Sequence, residues 1–165
     1  MRNVALFLTG TALIGLSAAL LLLPEFAITH AQQAASAESE PVPSFHAQPP
    51  SGELPPTMDP ALFPDKVVSN AYAAAGRVKK VLYQEPCYCH CDRAHGHGSL
   101  LDCFVGRHGS VCDICIKEAF YSYEQTRSGK TPAQIREGIE RGEWQKVDVS
   151  KYQNDYLKPV TAPAK

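Results

Sequence analysis

The sequence predicts a small, mainly α domain: three helices framing an irregular Cys/His-rich metal-binding loop, preceded by a signal or anchor segment and a proline-rich tether. Three observations carry that reading. Apolar residues recur at three- and four-residue intervals over 67–82 and again over 112–123, the spacing that builds one buried stripe on a helix. Thr131-Pro132-Ala133-Gln134 reads as a capping box with proline at the first helical position. All six cysteines, and four of the six histidines, fall between Cys87 and Cys115.

The chain opens with Arg2 and then a 20-residue run, Val4 to Leu23, without a charged residue. That pattern predicts export through residues 1–31, with alanines at Ala31 and Ala37 as cleavage points. The run also reaches the ~20 residues that span a bilayer as a helix, so an uncleaved membrane anchor through residues 4–23 is the alternative. No cysteine follows the run that could carry a lipid. Either way the cysteine-rich part is expected outside the cytoplasm, in the periplasm, on the cell envelope or secreted.

Residues 32–58 are rich in Ala, Gln, Ser, Glu and Pro, a composition that buries too little apolar surface to offset its ordering entropy. They are expected to form a disordered linker, with His30 and His46 solvated. The folding segment is then 59–152, about 90 residues, short enough to benefit from cross-links or metal. Residues 153–165 are expected to be a flexible tail. Lys and Arg total 16 against 17 Asp and Glu, which argues against nucleic-acid binding, since that calls for a basic excess.

Helix one should run from about Asp65 to Tyr83 on Val67, Val68, Ala71, Tyr72, Ala75, Val78, Val81 and Leu82. Pro86 then imposes an extended approach to Cys87. Helix two should start near Ser110 as N-cap, with Asp113 three residues on, and end at Gly129. Helix three follows the capping box, with Ile135 and Ile139 one turn apart and Trp144 closing the core behind it.

Cys87-Tyr88-Cys89-His90-Cys91 places three thiols at alternate positions. In extended chain these lie roughly 6.6 Å apart on one face, whereas thiolates on one tetrahedral zinc lie about 3.8 Å apart. All three on one ion would require a bend. A thiolate bridging two metals, or one cysteine left out, fits better. Cys112-x-x-Cys115 adds a chelating step at a helix start, where the exposed amides make Cys112 the expected thiolate. With Cys103, His97 and His108, the ligand pool is Cys87, Cys89, Cys91, Cys103, Cys112, Cys115, His97 and His108. His90 would alternate away from the cysteine face, and Asp92, Asp102 and Asp113 read as caps or acceptors for imidazole.

Pro86-Cys87-Tyr88-Cys89-His90-Cys91, followed by Gly96-His97, Cys103-Phe104-Val105, His108-Gly109, Cys112-x-x-Cys115 and Gly129-Lys130-Thr131 with Ile135-Arg136, resembles the bacterial PCYCGC-motif family of exported or membrane-attached proteins. The likeness covers about Val81 to Glu140. His90 stands where the glycine that names the motif would be, which implies that the family does not require a ligand there.

A thiol-rich pool selects zinc or cuprous copper, with an iron–sulfur cluster as a lesser alternative, over oxygen-seeking magnesium or calcium. Two competing readings are a disulfide-stapled interaction module and a thiol–disulfide redox protein. Cys-x-Cys spacing strains internal bridging, and interleaved histidines serve no disulfide. Ile116 after Cys115 excludes c-type haem attachment through that pair. The sequence carries no nucleophile–base triad, paired carboxylates or phosphate loop, so no enzymatic activity is expected.

Overall fold

The computed structural model describes residues 40–154 and residue 157. The expected signal or anchor, residues 32–39 of the expected linker, and most of the expected tail lie outside the described residues. The packed unit begins at Pro41. Among the described residues the architecture is helical throughout, without a strand, and no helix there is long and apolar enough to cross a membrane.

Helix α1 (Lys66–Arg77) starts where Asp65 accepts the Val68 N–H at 3.0 Å, and it buries Ala71, Tyr72, Ala74 and Ala75. It does not run through to Tyr83 as the periodicity suggests. Val78, at φ −121° and ψ 28°, interrupts it, and the chain resumes as the single turn α2 (Lys79–Leu82). Two further short helices, α3 (Cys91–His95) and α4 (Asp102–Val105), occupy the segment expected to be irregular.

The longest helix, α5 (Asp113–Arg127), lies against α1 and α2 and carries Cys115, Ile116, Ala119, Phe120 and Tyr123 into the core. Its cap is Cys112 and not Ser110. Ser110 sits in a 3-10 turn, His108–Val111, while the Cys112 thiol accepts the Cys115 N–H at 3.5 Å. Gly109 lets this turn approach α4, because a β-carbon there would stand 2.9 Å from the Cys103 carbonyl oxygen.

Helix α6 (Pro132–Glu140) has the expected capping box: Thr131 N–H donates to Gln134 Oε1 at 3.0 Å, and Gln134 N–H donates to Thr131 Oγ1 at 3.4 Å. Ile135, Ile139, Tyr121 and Trp144 form a second apolar cluster behind it.

The described part of the expected disordered linker, residues 40–58, is instead laid onto the domain. Pro43 is fully buried, Ser44 N–H donates to Asp92 at 3.1 Å, Phe45 lies under the Arg136 guanidinium, and His46 stacks on Tyr83 at 3.9 Å. Leu54 and Met58 continue into the core, and Met58 N–H donates to the Phe104 carbonyl at 2.9 Å. Composition favours disorder only when a segment finds no surface to cover, and here aromatic and proline rings find one. From the expected tail, Leu157 is buried in the same core as α1, and its carbonyl accepts from Arg77.

Gly138 on α6 faces the Tyr121 hydroxyl, and a β-carbon there would overlap it at 1.9 Å. Tyr121 is itself held by a 2.6 Å hydrogen bond to Glu143. Gly138→Ala is therefore expected to destabilise the domain by about 1–3 kcal/mol through overpacking. A denaturant midpoint equal to that of the wild type would contradict this packing.

Candidate metal centre

The Cys87–His90 segment is a turn, not the extended strand expected after Pro86: His90 N–H donates to the Cys87 carbonyl at 3.1 Å. His90 has φ 55°, in the left-handed region, the one non-glycine residue so placed among those described. A side chain is sterically strained in that region and glycine is not. The bend folds Cys87 and Cys89 together, 3.3 Å between sulfurs, and swings Cys91 into the first turn of α3, where its sulfur meets Cys103 of α4 at 3.2 Å.

From the start of α5, Cys115 closes on Cys87 at 3.5 Å and on Cys89 at 3.6 Å. The result is six sulfurs at the junction of α3, α4 and α5, all of them free cysteines. Cys87, Cys91, Cys103 and Cys115 are buried, while Cys89 and Cys112 are partly exposed.

The ligand atoms fall into two groups of four, each within 4.8 Å: Cys87, Cys89, Cys91 and Cys103, and Cys89, His108, Cys112 and Cys115. Cys89 belongs to both. The sulfur separations approach the roughly 3.8 Å edge of a tetrahedral thiolate site, so modest side-chain adjustment brings either group onto one ion. His108 Nε2 lies 3.9 Å from Cys89, inside the second group. His97 stands outside both groups, with Nδ1 3.3 Å from the Cys103 sulfur. His90 is in neither.

Hydrogen bonding shared among the sulfurs moves the thiols in opposite directions. Bonds from Cys103 first, then Cys112, hold Cys89 below the ordinary thiol range, and bonds from Cys115 and Cys87 hold Cys103 down at about 3. Cys87, Cys91 and Cys115 are pushed up, chiefly by donating to Cys103. Cys112, expected from its helix start to be the thiolate, is also raised. Its bond with Cys115 lowers it, but the neighbouring Cys89 and partial burial outweigh that.

The expected acidic neighbours act as caps on the backbone: Asp102 accepts the Gly98 N–H at 2.7 Å, and Asp92 accepts from Ser44. The residue that the sequence reading missed is Glu118. It is fully buried on α5, three residues after Cys115, and its Oε1 accepts the Tyr88 N–H at 2.9 Å, pinning the Cys87–Cys89 turn. Burial pushes its carboxyl well above the usual range. Glu85, also buried, is pushed up to about 9 by burial against the opposing charge of Arg136. A glutamate inside an apolar helical stripe was the available signal for Glu118.

Glu118→Gln retains an acceptor for Tyr88 and should leave metal affinity close to that of the wild type. Glu118→Leu removes it and is expected to weaken binding about 10–100-fold, as loss of a ligand-orienting contact does; competition with a chelator of known affinity measures the difference. His90→Gly should relieve the left-handed strain, raising the melting temperature slightly without changing metal content. A clear drop in either quantity would contradict the geometry of the turn.

The family model described as a protein of unknown function with PCYCGC motif matches residues 30–165. The chain belongs to that family. No curated protein and no solved structure matches it.

Proposed function

We propose that this member of the PCYCGC-motif family is an exported metal-binding protein in which the six cysteines and His108 hold two ions that share the Cys89 thiolate. One observation carries the reading: the ligand atoms divide into a four-cysteine group and a three-cysteine, one-histidine group with Cys89 common to both. Four thiolates, or three thiolates with one imidazole, are the donor sets of closed, four-coordinate zinc sites. Zinc is therefore the ion we favour, and cuprous copper, which thiolates also select, is the alternative. A closed donor set leaves no coordination position for a substrate. The reading is a carrier, storage or structural centre and not an enzyme. Export rests on the N-terminal apolar run, which lies outside the described residues, and on the extracytoplasmic compartment it implies.

Closed thiolate sites are rarely preformed in an unfolded chain, so the ions should contribute to folding as well. Elemental analysis and native mass spectrometry of protein purified under reducing conditions should give two ions per chain, and chelation should lower the melting temperature. Cys89→Ser should diminish both ions, whereas Cys91→Ser or Cys112→Ser should diminish one each. Wild-type protein with no ion, three disulfides and no melting shift on adding zinc or cuprous ion under reducing conditions would overturn the reading and favour a disulfide-stapled module.

A further inference from the structure

We propose that His95, His97 and His108 form a solvent-side imidazole station that takes up the incoming ion and hands it to the two thiolate groups. The proposal rests on the metal-centre reading above. His95, an exposed residue at the end of α3, belongs to neither ligand group. Its ring centroid nevertheless lies 4.6 Å from that of His108 and 5.8 Å from that of His97, and His97 and His108 are 5.2 Å apart. Imidazoles sharing one tetrahedral ion through ~2.05 Å metal–nitrogen bonds have centroids about 5 Å apart. The rings now stand tilted or edge to face, at 40° to 72°. Capture of an ion therefore asks for ring rotation more than chain movement.

The inner connections give the station its purpose. His97 touches Cys103, which belongs to the four-cysteine group alone, and His108 touches Cys89, the sulfur common to both groups. Each thiolate group thus has an imidazole at its outer side, and His95 joins the two at the surface. Without such a route the four-cysteine group is poorly accessible, because Cys87, Cys91 and Cys103 are only 3%, 2% and 0% exposed. An imidazole-bound ion is a borderline species that sulfur displaces readily. On the way into the four-cysteine group, four metal–sulfur bonds replace three metal–nitrogen bonds and the bond to one solvent water; on the way into the second group His108 stays bound, and three metal–sulfur bonds replace the other two imidazoles and the water. The thiol proton is released through the freed imidazole to solvent, and the oxidation state of the metal is unchanged.

The test mixes reduced, metal-free full-length protein with zinc held by a colorimetric chelator in a stopped-flow instrument and follows loss of the chelator's colour. His95→Ala should load roughly tenfold more slowly, the lower end of what outer-shell changes do at metal sites. It should still reach the wild-type zinc content and melting temperature. Val111→Ala, at an 86% exposed residue beside Cys112, should load at the wild-type rate. Equal rates for wild type and His95→Ala, with both filling normally, would overturn the station and leave the metal centre intact. So would an equal slowing in Val111→Ala, or a lower final zinc content in His95→Ala, which would make His95 a resident ligand. Wild-type protein that takes up no zinc would overturn the metal centre itself.

Discussion

The rest of the structure depends on a cluster of six sulfurs, four of them buried in the core and two at its edge. Cys87, Cys91, Cys103 and Cys115 are packed in the same apolar cluster as Ala71, Tyr72, Leu82, Leu100, Phe104 and Phe120. Neutral thiols are acceptable there, since a free cysteine behaves as a small hydrophobe. Thiolates are not, because an uncompensated charge in such a medium is expensive. Sulfur atoms from three stretches of the chain have nevertheless been brought together: Cys87, Cys89 and Cys115 lie 3.3–3.6 Å from one another, and Cys91 lies 3.2 Å from Cys103. Apolar packing alone would favour bulkier and less polar side chains at that junction. A cation would resolve the conflict, because it would turn the crowding of thiolates from a cost into the source of affinity.

The surroundings are arranged to tolerate that charge. Glu85 and Glu118 are both fully buried, and burial raises both carboxyls well above their ordinary range. The direction of both shifts favours the neutral acid over a further anion in the interior. Glu118 also does geometric work through its bond to the Tyr88 N–H. The helix that supplies Cys115 thereby also fixes the turn that supplies Cys87 and Cys89. On the outer side the Pro41–Leu54 stretch serves a related end: through Ser44 it ties down Asp92, the residue after Cys91, and through His46 it covers Tyr83.

What the sequence made legible was whatever is decided locally. The stripes of α1 and α5, the Thr131 capping box and the Ile135–Ile139 pair follow from side-chain periodicity and from hydrogen bonds within four residues. The clustering of cysteine and histidine was legible too, because ten sulfur- and imidazole-bearing residues in 29 positions stand out from any packing pattern. The distance argument for Cys87, Cys89 and Cys91 assumed extended chain, and the turn at His90 removes that premise. The break at Val78, the use of Cys112 as a cap and the left-handed His90 were not legible, because tertiary contacts select them over local preference. The seating of Pro41–Leu54 was hidden for a similar reason: its partners, Asp92, Tyr83 and Arg136, lie far along the chain.

Sharing one sulfur makes the two ligand groups interdependent. An ion in the four-cysteine group would fix Cys89 and, through the turn at His90, the orientation of Cys91 at the start of α3. Cys89 would then already stand in the position that the second group requires, so the second ion would meet a ligand whose ordering entropy is already lost. The same sharing has an opposing electrostatic side, since a thiolate already bonded to one cation donates less to another. Which side prevails depends on rigidity before loading. The cluster's two halves hang on α5 and on a turn pinned to α5 by Glu118, so much of the framework is ordered by apolar packing alone. The entropic gain is then small, and charge sharing dominates. Under the reading proposed above, that balance would make one ion more weakly held than the other.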